Sequence, residues 1–288
     1  MTDNMNIQWY PGHMTKTRRQ IEADLKLVDA VCEIVDARIP VSSRNPDIDA
    51  ICGEKPRMIV LNRMDLADPA ATKKWAEYFR RKGMAVIATD CKSKKGISAF
   101  TPAARLACAE KLERDAKRGM NRPLRVMVVG IPNVGKSTLI NQISGRKSAK
   151  AENRPGVTRG KQWVTVDSGL QLLDTPGILW PKFEDPEVGM MLAYTGAVKE
   201  GVIDLEELAY RLMELLHKFY PQTLLERYKV EAPEGTPGWQ LLEMAARKRG
   251  YLVSGGEVNT ERMAKVLLDE FRSGKLGNFT LEMPEDMV

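Results

Sequence analysis

The feature that most constrains the fold is a glycine-rich loop at residues 130–138, GIPNVGKST. It follows an apolar run, LRVMVVG (124–130), and leads into a helix-like stretch at 136–145. A GxxxxGKS sequence between a strand and a helix is typical of a loop that wraps phosphate groups with its backbone N–H groups. Glycines permit this because they carry no Cβ, and the start of the following helix adds positive potential. The sequence therefore predicts an α/β domain built around a phosphate site.

Two side chains of this loop have predicted roles in nucleotide binding. We expect the Lys136 ammonium to reach the β- and γ-phosphates of a nucleotide and the Ser137 hydroxyl to hold Mg²⁺. A glycine-rich turn without a ligand is the alternative, and the flanking strand and helix patterns count against it. The residues expected to contact the nucleotide here are Asn133, Val134, Gly135, Lys136, Ser137 and Thr138.

Apolar runs elsewhere in the chain alternate with helix-like stretches at 70–82, 97–117 and 136–145. Apolar strands separated by helices indicate an α/β fold with a doubly wound, mostly parallel sheet covered on both faces. The predicted strands are AVCEIVDA (30–37), RMIVLN (57–62), MAVIAT (84–89), LRVMVVG (124–130), WVTV (163–166) and LQLLD (170–174).

The strand patterns stop after about residue 180, and only amphipathic helical patterns follow. One of these patterns begins at Asp204, which is followed three residues later by Glu207, a spacing that resembles a helix-start capping signal. We therefore predict two domains. An α/β domain with an N-terminal arm covers 1–180, and a smaller all-α domain covers 181–288.

A second motif, NRMD at 62–65, ends one of the apolar runs. It looks like the NKxD motif with which GTPases read guanine, with Arg63 in the lysine position. The Asp65 carboxylate can accept hydrogen bonds from guanine N1–H and from its exocyclic amine, and adenine offers no such pair. A buried unpaired carboxylate is costly, so such a site would reject adenine. The Arg63 guanidinium could lie along the purine face. The base-binding set predicted here is Asn62, Arg63, Met64 and Asp65.

A third motif, TDCK at 89–92, follows the next predicted strand. It aligns with the SAK motif of GTPases, whose backbone N–H meets guanine O6. Cys91 would supply that N–H, and its side chain is small enough for the position. We therefore add Asp90, Cys91 and Lys92 to the expected nucleotide contacts.

Two further segments are placed as nucleotide switches. DTPG (174–177) matches the DxxG motif, in which Asp174 would orient Mg²⁺ and the Gly177 N–H would contact the γ-phosphate. RPGVTRG (154–160) sits where the first switch belongs, and Thr158 is its natural ligand for Mg²⁺ and the γ-phosphate. An exposed loop hydroxyl is the alternative for Thr158.

The order of these motifs is unusual. The guanine-reading motifs at 62–65 and 89–92 precede the phosphate motifs at 130–177, which reverses the usual order in GTPases. One sheet can still be built, because domain termini often lie close enough for circular permutation. The chain is thus expected to form a circularly permuted P-loop G domain.

Over nearly its whole length, the chain resembles the circularly permuted GTPases of the ribosome biogenesis GTPase A family. The resemblance implies binding of GTP and GDP with Mg²⁺. It also implies a bacterial or organellar GTPase that binds the large (50S) ribosomal subunit late in its assembly, touches its rRNA and leaves after hydrolysis. The family-like segments, beyond the motifs above, are WYPGHMTK (9–16), DARIPVSSRNP (36–46), GIPNVGKSTLIN (130–141), and PGVTRG followed by DTPGILWPK (174–182).

The residue that orients the attacking water is less clear from the sequence. Many GTPases use a glutamine just after DxxG, but Ile178 stands there and its side chain cannot form a hydrogen bond. We hypothesise that His13, which the resemblance places near the switches, orients or polarises this water. Local packing or RNA binding is the alternative for His13. His217 lies in an apolar helical pattern and is expected to be structural.

Asn133 resembles the asparagine with which some GTPases hold K⁺ beside the phosphates. Such a cation would neutralise developing charge much as an arginine finger does. Plain hydrogen bonding within the loop is the alternative.

The formal net charge of +6 is compatible with an acidic partner such as RNA. Basic clusters suit phosphate contact, although solvated charge is the default reading of any one cluster. The clusters are Arg146, Lys147, Lys150, Arg154, Arg159 and Lys161 near the first switch, and Arg247, Lys248 and Arg249 in the C-terminal part.

Membrane insertion is not expected, because no apolar stretch reaches the roughly 18 residues of a membrane helix and the first residues lack a signal-peptide pattern. The four cysteines show no metal-ligand spacing and suit reduced thiols in the cytoplasm. We expect a cytoplasmic monomer that does not bind DNA. Two alternatives stay open: a signalling switch that acts through protein partners, and a GTPase coupled to RNA modification.

Overall fold

The computed structural model describes residues 14–145, 162–167, 169–175, 185–198 and 204–287. These residues divide into two compact units. The first, here called the sheet unit, contains the described residues up to 175 together with 282–287, and the second, the helical unit, contains those from 185 to 281. The expected domain boundary near residue 180 lies outside the described residues and stays a prediction. The sequence did not indicate that 282–287 belong with the sheet unit.

The sheet unit contains strands that alternate with helices. In chain order its elements are α1 (Met14–Leu25), β1 (Ala30–Asp36), α2 (Asp47–Cys52), β2 (Arg57–Asn62), α3 (Pro69–Arg81), β3 (Ala85–Thr89), α4 (Phe100–Ala107), α5 (Ala109–Lys117), β4 (Leu124–Val129), α6 (Lys136–Ser144), β5 (Gln162–Asp167) and β6 (Leu170–Asp174). Short 3-10 turns lie at Ile97–Ala99 and Pro284–Met287.

The sheet has six strands in the order β3-β2-β1-β4-β6-β5. All neighbouring pairs are parallel except β5 with β6, which is antiparallel. This confirms the predicted mostly parallel α/β sheet. The central neighbours β1 and β4 mark the point where the strand order reverses, and ligands of such sheets bind outside the carboxyl ends of the strands at that point.

The register brings the predicted motifs to one edge of the sheet. Asp36 pairs with Asn62 and Asn62 pairs with Thr89, so β1, β2 and β3 end side by side. On the other side of β1, Val128 of β4 pairs with Asp174 of β6. The guanine-type motifs therefore lie on one half of this edge and the phosphate-type motifs on the other, although they are far apart in the sequence.

Apolar layers cover both faces of the sheet, as expected for buried parallel strands. On one face, Trp75 and Phe79 of α3 pack against β1 and β2, and Ile21 and Leu25 of α1 pack against β1 and β4 residues such as Met127. The β1 side chains that alternate to the opposite face, Cys32 and Ile34, are also buried. All seven residues of β1 are buried, which holds the strand between the two halves of the site rigidly in place.

The helical unit consists of α7 (Pro186–Tyr194), α8 (Leu205–Phe219), α9 (Pro221–Tyr228), α10 (Gly238–Lys248) and α11 (Thr260–Ser273). As the sequence suggested, Asp204 caps α8, with its carboxylate accepting from the N–H groups of Glu206 and Glu207 at 2.8 and 3.0 Å. In the same helix the His217 ring bonds the Pro233 carbonyl at 3.0 Å, which fits a structural role. None of the helices in the described ranges has the length and apolarity that a bilayer crossing requires.

Candidate functional site

The phosphate-type loop leaves β4 in a backbone conformation that requires glycine. Gly130 has a φ of 157°, and a Cβ added there would lie 2.7 Å from the Ile34 carbonyl oxygen of β1. Gly135, at the start of α6, has a φ of 108°. Asn133 between them also adopts a positive φ, of 60°. These turns present the loop across the carboxyl ends of the central strands.

Asn62 joins this loop to the guanine-type motifs. Its side-chain amide donates a hydrogen bond to the Val134 carbonyl at 2.7 Å and accepts one from the Thr89 hydroxyl at 3.2 Å. A Cβ added to Gly135 would lie 2.4 Å from the Asn62 amide nitrogen, so the contact leaves no room for a side chain at 135. One buried amide thus fixes the relative positions of β2, β3 and the phosphate-type loop.

Arg63 makes a second junction between the two halves. It adopts a φ of 59°, and its guanidinium donates to the Asn133 carbonyl at 2.7 Å. Its other terminal nitrogen lies 3.7 Å from the Asp36 carboxylate. The Arg63 side chain keeps 30% of its surface exposed, so its plane is available to a ligand.

The loop that carries Asp65 is fixed by backbone bonds, while its carboxylate faces solvent. The Met64 N–H donates to the Thr89 carbonyl at 3.1 Å, and the Leu66 N–H donates to the Arg63 carbonyl at 2.9 Å. Asp65 itself is exposed. The fixed loop therefore presents an exposed carboxylate at the sheet edge, where it can accept hydrogen bonds from a ligand.

The next loop, 90–96, is organised by its own residues. Asp90 accepts a bond from the Lys92 N–H at 2.8 Å, and its N–H donates to the Lys95 carbonyl at 3.0 Å. Burial alone would raise the pKa of Asp90, but hydrogen bonds from Ser93 and Lys92 hold it below its ordinary value. The Cys91 side chain is buried beside the Thr89 hydroxyl, 3.9 Å away. The side chains of Asp90 and Cys91 therefore shape the loop.

Lys136 is buried within the phosphate-type loop. Its ammonium donates to the Gly130 and Ile131 carbonyls at 3.1 and 2.9 Å. Burial lowers the pKa of Lys136 to about 8, and the Asp174 carboxylate partly opposes this shift. A nearby phosphate would favour the charged form, because an opposite charge raises the pKa of an ammonium.

The expected Mg²⁺ site can be tested against Ser137 and Asp174. Ser137 lies in the first turn of α6, and Asp174 is buried at the end of β6, where its register partner Val128 leads into the phosphate-type loop. The Thr175 hydroxyl donates to the Val128 carbonyl at 2.7 Å and fixes this end of β6. A hydroxyl and a carboxylate are hard oxygen donors of the kind that Mg²⁺ takes alongside substrate phosphates, so these residues fit the ion.

Three of the predicted site residues lie outside the described part of the chain: His13, Thr158 and Gly177. The same holds for Ile178 and for the basic cluster near the first switch. Their assigned roles stay predictions.

Sequence reasoning missed a buried ion pair beside the site. The Arg38 guanidinium bonds both oxygens of the Asp36 carboxylate, at 3.0 and 2.7 Å, and the Arg38 N–H adds a third bond of 3.0 Å. Burial alone would raise the pKa of Asp36, but the charge and bonds of Arg38, with the charge of Arg63, hold it below its ordinary value. In the sequence, the only sign of this pair among the motifs above is that both residues lie in the family-like segment 36–46.

A central GxxxxGKS loop, an NxxD motif anchored to it and an Asp at the end of the neighbouring strand define a P-loop nucleotide-binding domain of the GTPase class, in circularly permuted order. Comparisons with known proteins agree with this class. Residues 125–220 match the family model described as 50S ribosome-binding GTPase. The chain is 45% identical to ribosome biogenesis GTPase A of Bacillus cereus, over 98% of this chain and 95% of that protein. It is 34% identical to that of Thermotoga maritima, over 98% and 96%.

Solved structures give the same result. The GDP-bound structure of TM YlqF matches with a TM-score of 0.67 at 30% identity and covers 93% of this chain and 100% of that one. The GNP-bound YlqF from T. maritima matches with a TM-score of 0.62 at 29% identity and covers 94% and 99%. The chain belongs to the ribosome biogenesis GTPase A family. It is a GTPase that binds GTP and GDP.

Proposed function

We propose that this GTPase is a switch in late maturation of the large (50S) ribosomal subunit. It binds the immature subunit and its rRNA in the GTP state and leaves after hydrolysis. The observation that carries the proposal is the 45% identity to relatives named ribosome biogenesis GTPase A, which spans 98% of the chain. A GTPase with another role would need to share only the nucleotide-binding residues, whereas this similarity includes the helical unit.

The proposed base site follows from the fixed loops of the sheet edge. Asp65 reads the N1–H and exocyclic amine of guanine, and Arg63 lies along the purine face while it bonds the Asn133 carbonyl. The Cys91 N–H meets guanine O6. Asn62 does not need to touch the base, because its bond to Val134 holds the base site and the phosphate site at a fixed spacing.

The proposed phosphate site is centred on Lys136. Its ammonium exchanges the Gly130 and Ile131 carbonyls for the β- and γ-phosphates, where it offsets the charge that develops during hydrolysis. Ser137 and Asp174 would hold Mg²⁺, and the ion would supply positive charge to offset that of the phosphates. Thr158 and the Gly177 N–H complete this set in the proposal, and His13 orients the attacking water.

Potassium is a further part of the proposal. Asn133 lies in the phosphate-type loop with a φ of 60°, and in this proposal its side chain holds K⁺ beside the phosphates. Turnover should be faster in K⁺ than in Na⁺ at equal ionic strength. Equal rates in the two salts would assign Asn133 to loop hydrogen bonding alone.

For the helical unit we propose contact with rRNA. Of its basic cluster, Arg249 is tied to Glu270 at 3.4 Å and lies 5.2 Å over the Tyr228 ring. Arg247 makes an exposed pair with Glu243 at 2.8 Å, and such pairs contribute little to stability. Arg247 and the exposed Lys248 are therefore the residues that can exchange their surroundings for phosphates at low cost. The proposal further places the protein in the cytoplasm as a monomer with a domain boundary near residue 180.

A GTPase assay with purified ribosomal subunits tests the function. We expect slow intrinsic turnover that large subunits stimulate and that small subunits or free tRNA do not. GTP-analogue-bound protein should sediment with large subunits, and GDP-bound protein should not. A switch that acts through protein partners predicts no response to either subunit, and that result would overturn the proposal.

A further inference from the structure

The chain returns from the helical unit to the sheet unit at Glu282. The Glu282 carboxylate accepts hydrogen bonds from the Val41 N–H at 2.6 Å and from the Ser42 N–H at 3.0 Å, and the Ser42 hydroxyl donates a further short bond. The Glu282 carbonyl accepts from the Trp75 indole N–H at 2.8 Å. Glu282 therefore binds the loop after β1 through its carboxylate and α3 through its backbone carbonyl.

This loop is connected in turn to Asp36. Ser43, the residue after the carboxylate contact, accepts from the Asp36 N–H at 2.9 Å and donates through its hydroxyl to the Ile39 carbonyl at 2.7 Å. Arg38, which is fully buried, bonds the Asp36 carboxylate from the same short segment. The direction of the Asp36 carboxylate thus depends on the path of residues 37–43, and Glu282 holds that path.

Asp36 is the anionic neighbour of Arg63. One terminal nitrogen of Arg63 lies 3.7 Å from the Asp36 carboxylate, and the other donates to the Asn133 carbonyl of the phosphate loop. Arg63 is therefore held between the loop after β1 and the phosphate loop. Glu282 is thus linked to Arg63 by hydrogen bonds, the adjacent residues 42 and 43 and an ion pair, all within the sheet unit.

We propose that Glu282 is a positioning residue for guanine-nucleotide binding, which acts through the 37–43 loop and Asp36 to hold Arg63 in its place along the purine. The inference rests on the proposed role of Arg63. It gives the last residues of the chain a part in nucleotide affinity, although they follow the helical unit in sequence.

The chemistry predicts what the loss of this contact does. Without a carboxylate, the two N–H groups and the hydroxyl of the loop lose their acceptor, and the loop must shift to find others. Arg63 contacts the base end, which GTP and GDP share, so the change removes binding that is uniform between ground and transition states. The affinities for GTP and GDP should fall by the same factor, and kcat should not change.

The experiment compares Glu282→Gln with Glu285→Gln in the full-length protein. Glutamine keeps the size of the side chain and one acceptor oxygen, but its NH₂ group replaces the other oxygen, so the loop donors must share a single acceptor. Glu285 lies in the same tail, and its exposed pair with Lys74 makes it the matched control. Equilibrium titration with GTP and GDP should show affinities about fivefold to thirtyfold weaker for Glu282→Gln, as expected for residues of one hydrogen-bond network. Glu285→Gln should bind like the wild type.

A double-mutant cycle with Arg63→Ala distinguishes positioning from general destabilisation. If Glu282 acts through Arg63, Glu282→Gln should weaken binding little further in the Arg63→Ala background. Additive losses, or unchanged affinity in Glu282→Gln, would overturn the inference while GTP binding by the wild type upholds the proposed function. A wild type without guanine-nucleotide affinity would overturn both. If Glu282→Gln does not fold, Ser42→Ala removes one donor only, and it should give a smaller loss that also vanishes in the Arg63→Ala background.

Discussion

The two halves of the sheet edge hold their polar groups in different ways. In the guanine half, Asn62 and Arg63 are bound to other parts of the protein at 2.7 Å each, and the loop after them is fixed by backbone bonds to β3. In the phosphate half, the ammonium of Lys136 bonds the carbonyls of its own loop. A guanine base can therefore bind without breaking protein contacts, whereas phosphates compete with two carbonyls for the ammonium of Lys136.

The two halves should therefore contribute to nucleotide affinity in different ways. A preorganised base site contributes equally to every guanine nucleotide, because nothing in it depends on the number of phosphates. A phosphate site whose bonds are exchanged on binding can distinguish GTP from GDP, and only a differential affinity of this kind can drive a conformational switch. Substitutions at Lys136 and Gly135 and the pH dependence of binding test this difference between the two halves.

Lys136→Ala should have the largest effect. It removes the charge that the phosphates are expected to pair with, and loss of one partner of a buried charged pair costs about 2–5 kcal/mol of binding. The free protein should keep its thermal stability, because the ammonium is buried and burial disfavours its charge. Calorimetric titration with GTP and thermal unfolding measure the two quantities. Unimpaired binding would contradict the assignment of Lys136 to the phosphate half.

Gly135→Ala tests the junction between the halves. The new Cβ would collide with the Asn62 amide. The alanine backbone would also have to adopt a φ of 108°, and backbone strain of this kind costs about 1–3 kcal/mol. Gly145→Ala is the matched control, since Gly145 has a φ of 64° and nothing lies within 4 Å of an added Cβ. Both variants should lose stability in denaturant unfolding, but only Gly135→Ala should also lose affinity for GTP and GDP. Equal nucleotide affinities in the two variants would show that the Asn62 junction does not matter for binding.

The pH dependence of binding should give the smallest effect. The pKa of Lys136 is lowered to about 8 in the free protein, and bound phosphates should raise it. Binding must then take up a proton above that pH, so GTP affinity falls as pH rises through 8, by at most about tenfold per pH unit. In the free protein the same lowered pKa means that this group adds stability as pH rises from 8 towards the unfolded value. Titrations in buffers of different ionisation enthalpy measure the proton uptake. Binding at pH 8 without proton uptake would argue against a contact between Lys136 and the phosphates.

The sequence was sufficient to predict the sheet and the position of its motifs. Apolar runs that alternate with helical patterns identify parallel strands, and Asn62, Thr89 and Asp174 each end one, so they had to meet at one edge. Helix boundaries are harder to predict from the sequence than the strands. The pattern at 97–117 predicts one helix, but the chain forms α4 and α5 with a break at Cys108, whose φ of −110° leaves the helical region.

The contacts of Asp36 and Glu282 could not be predicted in this way. Buried charged pairs have no periodicity, and a capping or hairpin pattern links only near neighbours in sequence. Ser42 and Glu282 are 240 positions apart, and the whole helical unit lies between them in the chain. Only the folded arrangement shows that the last residues support the loop beside the guanine half.

The most direct test of the account is a change of base specificity at Asp65. If this carboxylate accepts from the guanine amine, Asp65→Asn should instead donate to the carbonyl oxygen that xanthine carries at that position. We expect the wild type to prefer GTP and Asp65→Asn to prefer XTP, each by at least about a hundredfold. The reason is that a site rejects a base that leaves its polar groups unpaired. Equilibrium titration of both proteins with both nucleotides measures this. If Asp65→Asn still preferred GTP, Asp65 would not be reading the base, and the claim that Asp65 and Lys136 bind the two ends of one GTP would be wrong.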